Sequence, residues 1–122
     1  MNNVRIENKN QPLSPLLHAV YCDSFLCRLC GYMFRSSITP GEGLVLVQGR
    51  DSRLDTAIHM LFVFMDLAII WINSKNMVVD TVLARAWHPF YLPRQAAKYI
   101  LEIHPERLAE FKIGDRVEFQ NA

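Results

Sequence analysis

Two polar side chains interrupt the most apolar stretch of the sequence, and they are the first candidates for chemistry. Residues 57–72 are apolar except for His59 and Asp66. An imidazole and a carboxylate held in a dry setting could perform general acid–base chemistry, because burial and pairing shift their pKa values toward useful ranges. A structural role is the more common alternative, since buried polar groups usually satisfy backbone donors or one another.

Three cysteines are candidates for metal binding. Cys22, Cys27 and Cys30 have the C-x4-C-x2-C spacing of plant-type two-iron clusters, which also need a fourth cysteine that the sequence lacks. His18 could complete a zinc site, although the ligands would have to converge from one short helix and its cap. Because the cysteine count is odd, we expect free thiols that act as small apolar residues, with no metal and no cofactor.

An aromatic and arginine-rich segment, Arg85–Arg94, is the best candidate for a recognition surface. Aromatic and arginine side chains dominate binding hot spots, and the prolines in this segment argue against regular structure. Trp87 could instead fold inward and plug an open end of the sheet, and the sequence leaves both interpretations open. The candidate binding residues are Arg85, Trp87, His88, Tyr91 and Arg94.

The elements that would position these residues are mainly strands. Residues 57–72 are rich in β-branched and aromatic side chains, which favours buried sheet, and Asp66 is a natural point for the chain to bend between strands. Four polar residues, 73–76, separate two apolar segments and predict an antiparallel hairpin around Ser74 and Lys75.

Two short helices are expected beside the strands. Asp23 or Ser24 can cap the first one over residues 25–30, and Gly31 can end it in the left-handed conformation. Pro105 suits the first turn of the second helix.

The fold class that this pattern predicts is mainly β. It is typical of a small antiparallel β-sandwich or barrel of seven to eight short strands with two short helices. An α+β fold is the alternative, and helix over residues 93–103 would favour it. The predicted strands include residues 4–7, 17–21, 44–47, 67–73, 77–84, 98–103 and 116–119.

Length and charge exclude several classes of protein. The 122 residues make one domain with an independent core, and the net charge of +1 gives no field that would attract nucleic acid or an anionic membrane. The apolar run is too short for a membrane span and carries a carboxylate near its middle. The first residues show no secretory signal, so we expect a cytoplasmic location.

Several motifs follow one another along the chain in a recognisable order. Residues 28–35, 43–46 and 57–68 are followed by residues 84–87, 99–102 and 113–117. The first three resemble the R-x-x-G-L-M-x-R, G-M-L-F and I-H-T-x-x-M-x-F-P-L-D-V motifs of a family of small prokaryotic domains, the domain of unknown function family 192 (DUF 192). The later three are similar to its R-P-W, Y-V-L-E and I-x-x-G-D-x-V segments. The resemblance covers about residues 15–119.

The resemblance implies a mainly β fold and no particular activity. The sequence departs from the family pattern at Tyr32, where leucine is usual, and at Met65 and Ala86, where proline is usual. The signature also adds Arg35 to the candidate residues, and its guanidinium could form an ordinary bidentate pair with Asp66.

We therefore interpret the chain as a non-catalytic binding or interaction module, with its recognition surface around the Arg85–Arg94 loop. The partner would be a protein or a small-molecule ligand, and no membrane or nucleic acid is expected. The alternative is a small enzyme or anion-binding protein that uses His59, Asp66 and Arg35. An open polar pocket touching both His59 and Asp66 would favour this alternative, whereas a sealed and fully paired arrangement would favour the binding module.

Overall fold

The computed structural model describes residues 2–121, which contain seven strands and two short helices. Neither of these helices is long and apolar enough to cross a membrane. The strands are β1 (Asn2–Asn8), β2 (Leu17–Cys22), β3 (Glu42–Ser52), β4 (Leu67–Ile72), β5 (Val78–Ala84), β6 (Ala97–Ile103) and β7 (Val117–Asn121); helix α1 spans Phe25–Cys30 and a 3-10 helix spans Pro105–Glu110.

Local sequence explains how α1 begins and ends. The Ser24 side chain accepts a hydrogen bond from the Cys27 backbone N–H at 3.2 Å, which satisfies one of the free donors of the first turn. Gly31 follows the helix with a φ of +49°, a region that glycine enters without steric cost. The predicted cap and the position of the helix end are confirmed, while the ψ of −127° at Gly31 lies outside the predicted left-handed conformation.

The hairpin predicted around Ser74 and Lys75 is also confirmed. Strands β4 and β5 pair antiparallel, with Leu67 opposite Ala84. In the turn, the Asn73 side chain accepts hydrogen bonds from the backbone N–H groups of Lys75 and Met77, each at 3.0 Å. An asparagine side chain that bonds the backbone two residues later is a common way to stabilise a tight turn.

All seven strands form one mixed sheet in the order β5-β4-β6-β3-β2-β1-β7. Strands β2 and β3 are parallel, and the other neighbouring pairs are antiparallel. The edge strands are β5 and β7. A backbone bridge joins Met77 to Arg116, immediately before each edge strand, so the sheet curls until its two edges meet at one end. They do not pair along their length.

The prediction of a mainly β fold is therefore confirmed, while its finer part is not. The sheet is neither closed into a barrel nor split into two packed layers, and it contains one parallel pair. Residues 97–103 form strand β6, so the helix that would have favoured an α+β fold is absent from this segment.

The inner face of the curled sheet is a sealed apolar core. Its fully buried side chains come from both ends of the sheet and from the strands between them. Phe111, which follows the 3-10 helix, packs against this core and is 3% exposed. The core includes Val4, Ile6, Leu17, Val45, Ala68, Ile70, Ile72, Val78, Leu101, Ile103 and Val117.

Buried polar residues at the border of the inner face are all paired. Arg107 is 3% exposed and donates to the carbonyl oxygens of Pro15 and Pro40 and to the Glu110 carboxylate, each at 2.6 Å. The Asp115 carboxylate accepts from the Asn8 side chain at 2.8 Å. Burial alone would raise the pKa of Asp115, but its hydrogen bonds outweigh burial and lower that pKa.

The outer face is covered by loops, and here one prediction is wrong in part. Residues 57–72 do not form continuous sheet with a bend at Asp66, because regular strand begins only at Leu67. The preceding loop lies over the sheet and bonds other loops, with the Met60 N–H donating to the His88 carbonyl at 2.9 Å. Its side chains divide accordingly, since Met60 is 1% exposed and Phe62 is 44% exposed.

Candidate functional site

Four aromatic side chains form a patch on the protein surface, which we call the aromatic cluster. It consists of Phe34, Phe62, Phe64 and Trp87. The ring centroid of Trp87 lies 5.0 Å from that of Phe62 and 5.5 Å from that of Phe64, and Phe62 lies 5.5 Å from Phe34. The exposed fractions run from 44% for Phe62 to 69% for Phe34, so the cluster is surface and not core.

Backbone hydrogen bonds between distant loops hold the aromatic cluster together. The Phe34 N–H donates to the Phe62 carbonyl at 2.6 Å, and the Trp87 N–H donates to the Met60 carbonyl at 2.9 Å. Loops of this kind have few regular backbone partners, so bonds of one loop to another fix where their side chains point. The cluster is therefore built by tertiary contacts between three segments of the chain.

Three members of the cluster have an unusual backbone conformation. The φ angles of Phe34, Phe62 and Trp87 are +67°, +62° and +66°. This left-handed region is unfavourable for bulky side chains and costs about 1–3 kcal/mol for each residue. Strain of this kind persists only where the surrounding structure imposes it, and it is concentrated at functional sites.

Trp87 does not plug the core. It is 46% exposed, whereas the other tryptophan, Trp71, is 1% exposed and donates from its indole nitrogen to the Thr56 carbonyl at 2.7 Å. Near Trp87, the His88 ring stacks at 4.4 Å on that of Tyr91, whose hydroxyl accepts from a backbone N–H at 2.9 Å. The predicted irregular backbone of this loop is confirmed, and the roles of its side chains in recognition stay predictions.

Asp66 and Arg35 do not pair with each other. The Asp66 carboxylate accepts from the Ala86 N–H at 2.9 Å and forms an ion pair with Arg85 at 3.1 Å. Arg35 instead pairs with Glu42 at 3.3 Å. The expected pair is absent although the two segments are adjacent, since the Phe64 N–H donates to the Arg35 carbonyl at 3.0 Å.

Two further predicted residues also have ordinary partners. The Nδ1 atom of His59 accepts from the Leu61 N–H at 3.2 Å. Arg94 forms an ion pair with Asp80 at 3.3 Å, and its own side chain is 77% exposed. Together with the separate partners of Asp66 and Arg35, this arrangement does not bring His59, Asp66 and Arg35 into one site.

The prediction of three free cysteines is wrong. Cys22 and Cys27 form a disulfide, and Cys30 is a free and exposed cysteine. The pairing is possible because β2 ends at Cys22 and α1 begins three residues later, which places the two Cα atoms 5.8 Å apart. Within residues 2–121, no cluster of three or more metal-binding side chains forms. His18 lies exposed on β2 and joins no such cluster.

A cavity of about 440 Å³ lies between α1 and the outer face of the sheet. This volume is within the range of small-molecule sites in proteins. Its walls combine apolar side chains with polar groups from Arg28, Tyr32, Gln48, Asp55, His59 and Glu102. The cavity touches His59 but not Asp66, so the pocket that would have favoured the enzyme interpretation is only partly present.

Glu102 is the most unusual residue of this cavity. It lies in β6, an interior strand of the sheet between β4 and β3, is 5% exposed and has no hydrogen bond or ion pair among the described residues. Burial raises the pKa of its carboxyl to about 7. A Cβ atom added to Gly31 would lie 3.5 Å from its Oε1 atom, so the carboxyl reaches the end of α1.

Tyr32 lies beside the same carboxyl and is 7% exposed. Burial is the main cause that raises the pKa of its phenol, and the nearby charges of Glu42 and Glu102 raise it further. Sequence reasoning did not identify Glu102 or Tyr32 as site residues. The available signal was a glutamate placed between apolar neighbours in the strand Tyr99-Ile100-Leu101-Glu102-Ile103.

Comparison with curated proteins finds archaeal relatives. A UPF0127 protein of Pyrococcus abyssi is 31% identical over 99 residues, which is 80% of this chain and 81% of the relative. One of Pyrococcus horikoshii is 30% identical over 117 residues, covering 93% of this chain and 97% of the relative. A longer one of Thermococcus gammatolerans is 35% identical over 85 residues, and the match spans 54% of its length.

Solved structures share the fold. A Sinorhizobium meliloti protein that has been suggested to be a transcription regulator matches with a TM-score of 0.81 and 19% identity, over 97% of this chain and 92% of that chain. A protein of unknown function from Novosphingobium aromaticivorans matches with a TM-score of 0.80 and 19% identity, over 95% and 83%. At this identity, the likeness shows the fold alone.

The family resemblance found in the sequence motifs is confirmed by a family model. The model of DUF192, described as "Uncharacterized ACR", matches residues 5–119 and therefore covers nearly the whole chain. The protein belongs to the DUF192 family, together with the UPF0127 proteins of Pyrococcus and Thermococcus.

Proposed function

We propose that the protein is a non-catalytic binding module that recognises a partner polypeptide through the aromatic cluster and the adjoining Arg85–Arg94 loop. The observation that carries this proposal is that Phe34, Phe62 and Trp87 are exposed and also held in left-handed conformations. A surface without a task would be more stable with glycine or asparagine at such positions. Retaining large aromatic side chains there has a cost that a binding role explains.

The surroundings of the aromatic cluster support a protein partner. An apolar centre with a polar rim is the usual anatomy of a protein interface, and exposed apolar patches with such rims mark interaction sites. The rim here includes the Asp66–Arg85 ion pair, which lies next to Trp87 along the chain. Because this pair is neutral overall, we expect apolar side chains of the partner, and not its net charge, to dominate recognition.

The rigidity of the cluster also supports recognition. Aromatic side chains have few rotatable bonds, and the bonds of one loop to another fix the backbone beneath Phe34 and Trp87. A surface that is ordered before binding loses less conformational entropy on association. The cluster can therefore supply contact area at low entropic cost.

A selection from a library of displayed random peptides tests this proposal. We expect the immobilised protein to enrich peptides with apolar or aromatic anchors, and the Trp87→Ala variant to bind the same peptides at least about tenfold more weakly, as a loss of roughly 1.4 kcal/mol or more at a hot spot would give. Ile113→Ala is the control, because Ile113 is 56% exposed and lies outside both the aromatic cluster and the Arg85–Arg94 loop.

Tryptophan fluorescence gives a direct readout. Trp71 is 1% exposed and Trp87 is 46% exposed, so acrylamide quenching reports mainly on Trp87. Bound peptide should protect Trp87 from the quencher. Equal peptide binding by the parent and the Trp87→Ala variant would overturn the proposal. Protection of Trp87 by self-association or by neutral lipid vesicles, but not by any peptide, would also overturn it.

A cytoplasmic location is part of the same proposal and has its own test. Cytosolic reductants keep most thiols reduced, so the state of Cys22 and Cys27 in cells reports the compartment. The structure joins these two sulfurs, so thiol labelling of the protein in quenched cell extracts should find the disulfide opened by cytosolic reductants if the location is cytoplasmic. Full oxidation together with recovery outside the cytoplasmic fraction would contradict it.

A further inference from the structure

The cavity beneath α1 supports an inference that is independent of the aromatic cluster, since no member of the cluster lines it. We propose that this cavity binds a small organic cation, a protonated amine with an apolar body, through a hydrogen-bonded ion pair between its ammonium group and the Glu102 carboxylate. Such a site would give the protein a small-molecule ligand in addition to its polypeptide partner.

The first observation is a buried carboxyl that lacks a partner. Glu102 is 5% exposed, and within residues 2–121 nothing donates a hydrogen bond to it. Fully enclosed side-chain oxygen and nitrogen atoms elsewhere in this part of the chain all have partners. The Glu102 oxygens are therefore open to the cavity, where a ligand can supply the missing donors. An ammonium group offers three of them together with the opposite charge.

The second observation is the incomplete packing of the wall that covers the cavity. Helix α1 buries none of its residues. Phe25 and Leu29 line the cavity from this helix but remain 73% and 52% exposed. The opposite wall includes buried apolar side chains such as Val63 and Ile100 beside Glu102. An apolar ligand body placed between the two walls would cover surface that the protein alone leaves unpacked.

The charges around the cavity favour a single positive charge on the ligand. Asp55 and Glu102 contribute two carboxyls, and Arg28 contributes one guanidinium. That guanidinium already donates to the carbonyl oxygens of Asp23 and Val47. Asp55 is paired with Arg50 at 3.6 Å, so among the described residues that line the cavity the ionised Glu102 is the carboxylate without an ion-pair partner, and a monovalent amine would pair with it.

Binding should depend on pH, because a proton and the ammonium group compete for the same carboxylate. Burial places the pKa of Glu102 at about 7. Besides Glu102, the titratable and charged groups that face the cavity are Arg28 and Cys30 of α1, Tyr32, and the loop residues Asp55 and His59. Strands β3 and β4 also line the cavity, but they contribute no titratable side chain to it. His59 lines the same cavity, so its contribution needs a separate control.

Phenethylamine is a suitable probe, with phenethyl alcohol and hydrocinnamate as matched neutral and anionic analogues. We expect calorimetry or NMR titration at about pH 8 to show the amine binding at least about tenfold more tightly than either analogue. Amine affinity should fall as the pH drops from about 8 to about 5, as Glu102 takes up its proton. The signals that shift should belong to residues of the cavity walls.

Three variants separate the contributions. Glu102→Gln keeps the size of the side chain and should lower amine affinity about tenfold or more and remove its pH dependence. Glu106→Gln removes an exposed carboxylate from the nearby 3-10 helix and should change nothing. His59→Gln should retain the pH dependence. Near-UV circular dichroism confirms that each variant is folded.

Clear outcomes would overturn this proposal. Equal affinities for the amine and the alcohol would make the cavity a merely apolar site, and tighter binding of hydrocinnamate would assign it to anions. Unchanged amine binding by a folded Glu102→Gln variant would exclude the ion pair. If that variant does not fold, a flat pH profile of the parent protein, or no binding of the amine at millimolar concentration, decides against the proposal.

Discussion

The two faces of the curled sheet differ in how completely their buried groups are packed and hydrogen-bonded. The inner face contains an apolar core, and the polar residues at its border, such as Arg107 and Asp115, have several hydrogen bonds each. The outer face contains a carboxyl without a partner at Glu102, a cavity of about 440 Å³ and bulky aromatic residues in left-handed conformations. Among the described residues, the aromatic side chains with positive φ and the unpartnered Glu102 carboxyl therefore lie on the outer face.

This difference indicates a division of labour within one small sheet. Closely packed and fully paired regions supply stability, whereas sites that bind other molecules often keep groups in unfavourable states until a ligand satisfies them. Strand β4 is buried along its entire length, because alternate side chains belong to the inner core and to a second apolar cluster on the outer face. The outer face is consequently where changes should alter binding more than folding.

The largest effect should follow loss of the buried guanidinium at the border of the inner face. Arg107→Ala leaves the Pro15 and Pro40 carbonyls without their donor, and we expect a loss of about 3–5 kcal/mol in unfolding free energy. Urea denaturation measures this loss. Arg50→Ala is the control, because that side chain is 79% exposed and its removal should cost little. Equal losses of unfolding free energy in the two variants would show that the buried hydrogen bonds of Arg107 contribute no more to stability than an exposed arginine does.

The two tryptophans give the next comparison. Trp71→Ala removes a side chain that is 1% exposed and should cost about 3–5 kcal/mol. Trp87→Ala should cost only about 1 kcal/mol, because Trp87 is 46% exposed and contacts mainly other surface aromatics. Thermal and urea denaturation of both variants decide this point. A Trp87→Ala loss as large as that of Trp71→Ala would make the aromatic cluster a part of the core.

Glu102→Gln should change the pH dependence of stability. The pKa of Glu102 is raised from 4.5 to about 7 in the folded state, so between these values the folded protein holds more protons than the unfolded chain. Stability from this group therefore falls as the pH rises through that window. The glutamine variant should match the parent below about pH 4.5 and exceed it by up to about 3 kcal/mol above about pH 7. Equal stabilities across the range would show that the buried carboxylate has no cost.

The smallest effect should come from Asp66. Its carboxylate accepts from the Ala86 N–H and pairs with Arg85, but the Asp66 side chain is 35% exposed and that of Arg85 is 68% exposed. We expect Asp66→Ala to cost only about 1 kcal/mol, because solvent replaces much of what these exposed contacts supply. A loss of about 3 kcal/mol or more in urea denaturation would contradict this, because it would show that the ion pair is effectively buried. The apolar sequence around Asp66, taken alone, would suggest that larger loss.

Local features of the fold could be predicted from the sequence, because their causes lie within a few residues. The hairpin at Ser74 and Lys75, the cap at Ser24 and the end of α1 at Gly31 depend on nearby backbone groups. The apolar loop before Leu67 could not be separated from strand in the same way. Its composition suits either structure, and only the partners of its backbone on other loops decide between them.

The candidate site was less predictable for a related reason. Trp87 was identified from its surroundings in the sequence, but Phe34 and Phe62 join it only through tertiary contacts. A left-handed conformation is rarely expected for phenylalanine, so no sequence rule points to it. The Cys22–Cys27 disulfide was missed because an odd number of cysteines shows only that one of them must stay unpaired within the chain. It does not exclude a disulfide between the other two.

Carbon-detected NMR titration of the Glu102 carboxyl tests the difference between the two faces most directly. A carboxyl that is buried in the cavity wall and has no partner should titrate with a pKa of about 7. Addition of phenethylamine should then lower that pKa, since an ammonium group favours the ionised form. A pKa near the ordinary value of 4.5 in the free protein would contradict this description, because it would show that Glu102 is solvated or already paired.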